Sequence, residues 1–141
     1  MALLPNQAEA DNLLAVSKQS VLQDVFSWHE NTRDEELFIE LGDKERKFVL
    51  NLNRNPFEIR LHLRTKGSNV GLARIDNAAQ HINPDGNILR GAHLHVYREG
   101  FGLAWAESIT WHDPAQPLDT LAAFLDLVHA RFSAGYMLPL I

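Results

Sequence analysis

The nine residues FEIRLHLRT (57–65) alternate without a break. Phe57, Ile59, Leu61 and Leu63 point one way; Glu58, Arg60, His62 and Arg64 point the other. A period of two over this length predicts a strand with one buried face and one polar face. The pattern recurs nearby. Leu37, Ile39 and Leu41 alternate in 36–41, Phe48, Leu50 and Leu52 in 46–53, and VGLARID (70–76) reads as a shorter strand. GAHLHVYREG (91–100) and FGLAWAESI (101–109) read as two more. The turns between them, such as GDKE (42–45) and KGSN (66–69), are short, whereas parallel pairing needs a crossover of about a dozen residues or more. The prediction is an antiparallel meander of about six strands over 36–109.

Both ends of the chain read as helical. Asn6 with Glu9 three residues on is a capping pair, and Leu13, Leu14, Val21, Leu22, Val25 and Phe26 continue at helical spacing, so a helix is expected over 6–27. Pro117 opens a second helix whose apolar stripe is Leu118, Leu121, Leu125, Val128 and Phe132, with Gly135 as stop signal; its expected span is 117–134. The tail 136–141, YMLPLI, is too apolar to stay uncovered, so it is expected to dock on the core or to drive self-association. The whole reads as one α+β domain, 1–141, with both helices flanking one sheet.

Composition narrows the function classes. Lys and Arg number 13 against 18 Asp and Glu, a formal charge of −5 that argues against broad, salt-driven nucleic-acid binding. The absence of cysteine excludes disulfides, thiolate nucleophiles and Cys-type zinc sites. No apolar run approaches the roughly 18 residues of a membrane helix, and the start, MALLPNQAEAD, has no basic segment of a signal peptide. A cytoplasmic protein without a membrane partner is the expectation. The chain carries no Gly-rich phosphate loop, G-x-S-x-G or H-E-x-x-H.

The chemistry-bearing stretch is HINPDGNILRGAHLHVYREG (81–100). Asn83, Pro84, Asp85 and Gly86 each match a slot of a type I turn, so a structural role suffices for them. His93, His95 and Tyr97 fall on one strand face. If Arg60 and His62 share that face, the set is a candidate catalytic surface: imidazoles for acid–base work, a guanidinium for an anion such as phosphate. His81, His93 and His95, with Asp85 as an alternative third ligand, form a candidate metal set. Against both stands the plain alternative of a solvated sheet face. Arg74 and Asp76 read as a cross-face ion pair. No cofactor is expected.

The motifs R-I-D (74–76), H-I-N-P-D-G (81–86), H-L-H-V-Y-R-E-G (93–100) and W-A (105–106) resemble a family of small uncharacterised proteins of bacteria, phages and mobile elements. The resemblance covers roughly residues 46–109, leaving both helices and the tail as additions of this branch. It implies a site at His81, Asn83, Asp85, His93, His95, Tyr97 and Glu99, and no particular reaction.

Three functions follow. The favoured one is a non-catalytic protein-binding module of phage or mobile-element origin, regulatory or counter-defence, since the acidic charge suits competition for basic surfaces. A metal-independent, ribonuclease-like or toxin-like enzyme would use the His/Arg/Tyr face on RNA or a small anion. A His-ligated, metal-dependent hydrolase requires His81, His93 and His95 to converge.

Overall fold

A computed structural model describes residues 4–140. The chain runs α1 (Gln7–Ala15), β1 (Lys18–Ser20), β2 (Phe26–Ser27), β3 (Asp34–Glu40), β4 (Asp43–Arg54), β5 (Ile59–Thr65), β6 (Gly71–Ile82), β7 (Ile88–Val96), β8 (Ala106–Ser108), α2 (Pro117–Val128), β9 (Ala130–Arg131) and β10 (Tyr136–Met137). It is α+β, as the alternation predicts. The main sheet has eight strands rather than about six, in the order β8-β7-β6-β5-β4-β3-β1-β9. From β3 to β8 it is an antiparallel meander. The extra strands are β1, antiparallel to β3, and β9, parallel to β1.

The predicted helix over 6–27 is really a helix followed by strands. Asn6 forms the expected capping box with Glu9, but the helix stops at Ala15. Lys18 is the reason. Its side chain is 1% exposed, and its ammonium donates to the carbonyls of Leu14 and Val16 at the end of α1 and of Val128 at the end of α2. One cation thus closes both helix C-termini, where negative partial charge collects. The β-branched Val21 and Val25 of the supposed stripe are 45% exposed, while Phe26 enters the core from a strand.

The second helix ends at Val128 rather than 134, because His129 takes the left-handed conformation, φ +57°. The returning strand expected over 101–109 shrinks to β8, since Arg98 and Gly102 close a tight bend and the segment after it leaves the ladder. Phe57 does not join the buried row of β5. It is 82% exposed, held in a turn where Asn55 Oδ1 accepts from the Phe57 and Glu58 amides. The tail docks in part: β10 pairs in parallel with β2 and Tyr136 packs on Phe132, whereas Leu140 is exposed and Ile141 lies outside the described residues.

One sheet face carries the core. Leu50, Leu52, Leu61, Leu63 and Ile75 cluster with Leu121, Phe124, Leu125 and Val128 of α2, all buried. The opposite face of the central strands is left for polar groups. Replacing Lys18 by Met is expected to lower stability by about 3 kcal/mol, since it strips a charged donor from three carbonyls beneath the surface. Urea denaturation of Lys18→Met against the parent chain measures this.

Candidate histidine site

Strand register assigns the polar face. His62 stands opposite Arg74, and Arg74 opposite His95; Asp76 stands opposite His93. Cross-strand partners share a face, so β5, β6 and β7 bring these five side chains to one surface. His81 reaches it by a different device. Simple alternation from Asp76 would turn residue 81 to the other side. Between Ala78 and His81 the register shifts, with Ala78 opposite Gly91 and His81 opposite Leu89. Two residues, Ala79 and Gln80, therefore face one, Arg90. This β-bulge reverses the parity of β6 and carries His81 onto the face of His93 and His95.

The three rings form a triangle. Centroids lie 5.3 Å apart for His81–His93, 4.8 Å for His81–His95 and 4.8 Å for His93–His95. One ring nitrogen from each lies within 4.8 Å of the other two. His93 and His95 are each 1% exposed and His81 is half-buried.

Each ring is held by a backbone carbonyl. His93 Nδ1 is 2.8 Å from Gly91 O, His95 Nδ1 is 2.7 Å from Leu103 O, and His81 Nε2 is 2.9 Å from Ala104 O and 3.1 Å from Asn83 Oδ1. All four oxygens can only accept, so these nitrogens carry the hydrogens. In the neutral rings the lone pairs that remain are His81 Nδ1, His93 Nε2 and His95 Nε2. Fixing each tautomer through the second ring nitrogen is how metal-binding imidazoles are commonly oriented.

Asp76 completes the site. Its Oδ1 lies 2.7 Å from His93 Nε2 and its Oδ2 lies 3.7 Å from His95 Nε2. The short approach is not aligned as a hydrogen bond, and Oδ1 is buried with no hydrogen-bonding partner. A carboxylate oxygen and an imidazole lone pair this close repel unless positive charge stands between them. Arg74 supplies some of it from the side, with Nε 3.3 Å from Asp76 Oδ2 and Nη2 3.3 Å from His95 Nε2. The Arg74–Asp76 pair expected from the sequence is present, but the carboxylate serves the histidines as well.

The other expected site residues divide. Tyr97 leaves the site: it is 4% exposed in the core cluster, and its hydroxyl donates to Pro5 O at 2.7 Å. Glu99 likewise secures the N-terminal helix, accepting from the Gln7 amide at 2.7 Å. His62 and Arg60 line a neighbouring groove rather than the triangle. Burial and the charges of Arg74 and Arg64 hold the His62 imidazole below its ordinary range. Asp85 is no ligand, since it accepts from the amide and side chain of Asn87 within its own turn. That turn closes as predicted, Gly86 N to Asn83 O at 2.8 Å with Gly86 at φ +89°. Asn83 does more than turn the chain. Its side chain exchanges two hydrogen bonds with the backbone of Ala106, pinning the segment whose carbonyls hold the rings.

A two-helix α+β domain with a carbonyl-braced histidine triangle on the free sheet face is the class these features define. The chain belongs to a family of unknown function, DUF6978, whose model matches residues 6–130. That span includes both helices, which are therefore part of the family's architecture rather than additions of this branch. No curated protein and no solved structure matches the chain. No helix among the described residues is long and apolar enough to cross a membrane.

Burial, with Arg74 nearby, pushes His95 down to about 4, against a backbone hydrogen bond that raises it. A folded-state value below the unfolded one stabilises the fold above the unfolded pKa of 6.5 and loses that stability as pH falls toward 4. The chelator-treated protein is therefore expected to lose about 3 kcal/mol between pH 6.5 and 4, and His95→Gln should flatten that slope. Denaturant titrations across this range measure both.

Proposed function

We propose that the domain is a metal-dependent hydrolase whose divalent, zinc-class ion is bound by His81 Nδ1, His93 Nε2 and His95 Nε2. The observation that carries this is the convergence of three imidazoles with each second nitrogen tied to a backbone carbonyl. A solvated sheet face needs no such arrangement, and a protein-binding surface would not bury two of its three histidines. A metal-independent acid–base pair fits less well, because a ring held near 4 is a poor proton donor at neutral pH.

Three protein ligands leave a fourth position for water, as in catalytic zinc sites generally. An ion held by these three residues would supply an acidified water, with a pKa of about 7. Asp76, with one oxygen unpartnered beside the ligands, accepts the proton released. The chemistry such an ion would supply is hydrolysis of an ester: water would add to the electrophilic centre, the bond to the leaving oxygen would break, and that oxygen would take a proton from solvent. Arg74 faces the charge that develops.

The test is cobalt and zinc titration of chelator-treated protein, read by metal analysis, visible absorption and melting temperature. One equivalent should bind, and at about a hundred times the dissociation constant it should stabilise the fold by about 2.7 kcal/mol. His81→Ala, at the least buried ligand, should weaken binding more than tenfold. Stoichiometric binding that is indifferent to His81, or no binding at all, would refute the assignment.

A further inference from the structure

Beside the triangle, on the same sheet face, runs a groove of about 430 Å³. Arg33, Arg60 and Arg74 line it, with Asn53 and His62 between them and Asp76 shared with the histidine site. We propose that this groove is the substrate subsite of the metal centre and that it binds the phosphate of a small phosphate ester. The assignment rests on the metal reading above, to which it adds the substrate class.

Charge and geometry both support an anion here. Three guanidiniums face two carboxylates, Asp34 and Asp76, within the lining. Asp34 accepts from the Thr32 hydroxyl at 2.9 Å, and Asp76 is turned to the histidines. Arg60 is paired with Glu58 only through Nε, leaving its outer nitrogens free, and Arg74 Nε, 3.3 Å from Asp76 Oδ2 as an ion pair, makes no aligned hydrogen bond. Planar guanidiniums match phosphate oxygens two at a time. Asp76 is the common wall, so a phosphate held by Arg74 lies next to the ion that His93 and His95 would carry.

Size and net charge select a small ester over a polymer. The volume is that of a pocket for one small molecule. A chain of formal charge −5 repels an extended polyanion outside the groove, where few cations compensate.

The experiment uses the zinc-loaded full chain, titrated calorimetrically with inorganic phosphate and adenosine 5′-monophosphate, alongside the double variant Arg33→Gln, Arg60→Gln. Both positions are exposed, so the variant should fold, and its zinc affinity should equal that of the parent. Phosphate and the monophosphate should bind the parent and weaken at least tenfold in the variant. Zinc binding without phosphate binding, or equal phosphate affinity in parent and variant, overturns the groove and leaves the metal site standing. Failure to bind zinc overturns both. A ten-nucleotide single-stranded RNA binding more than a hundredfold tighter than the monophosphate overturns the small ester in favour of a polynucleotide.

Discussion

A pleated strand sends alternate residues to opposite faces, and a single extra residue reverses the assignment for everything beyond it. The polar site depends on this rule being broken once. From Arg74 to Asp76, strict alternation places the charged groups opposite His95 and His93. The bulge at Ala79 and Gln80 then turns His81 to the same side. Without it, His81 would point to the other face and two imidazoles would remain. The hairpin of Asn83 to Gly86 follows directly, so the bulge also sets where Asn83 can reach Ala106. The loop after β7 returns over the rings, and its carbonyls at Leu103 and Ala104 hold His95 and His81, while Gly91 within β7 holds His93. The register shift sets the parity; the turn residues Asn83 to Gly86 and the Arg98–Gly102 bend then set the hairpin and the loop.

Much of the frame was legible in the residues. Unbroken alternation in 57–65 and short turns imply an antiparallel meander, and β3 to β8 form one. The His93 and His95 pairing on a face follows from their spacing, and the sharing of that face with His62 follows from the meander. The failures have specific causes. A helical period over 6–27 arose from a short helix abutting β-branched residues, because periodicity cannot register a buried lysine that bonds carbonyls at the end of α1 and, 110 residues on, at the end of α2. Strands of two or three residues, such as β1 and β9, carry no period to detect. Phe57 fits the alternation, yet Asn55 and Pro56 place it in a turn.

The site was half visible for related reasons. His81, His93 and His95 could be named as a set, but the register shift is marked only by Gly91, opposite Ala78 at φ +82°, and a lone glycine does not say that parity reverses, so their convergence could not be read. Asp76 looked like the partner of Arg74, which it is; its second role appears only when β7 is laid beside β6. Tyr97 shares the spacing of the two histidines and was grouped with them. The strand ends at Val96, and Tyr97 and Glu99 serve the helix rather than the face.

The segment H-L-H-V-Y-R-E (93–99) thus divides its labour along its length. Its first half supplies rings to one side of the sheet, and its second half fastens Pro5 and Gln7 through Tyr97 and Glu99. These tasks tolerate change differently. Exchanging a histidine for another polar residue would remove a ring from the triangle while the clasp on the helix stays closed. Adding or deleting one residue here would move both at once. A chain stripped of the three rings would therefore keep its scaffold, with the Tyr-x-Glu clasp of residues 97–99 intact.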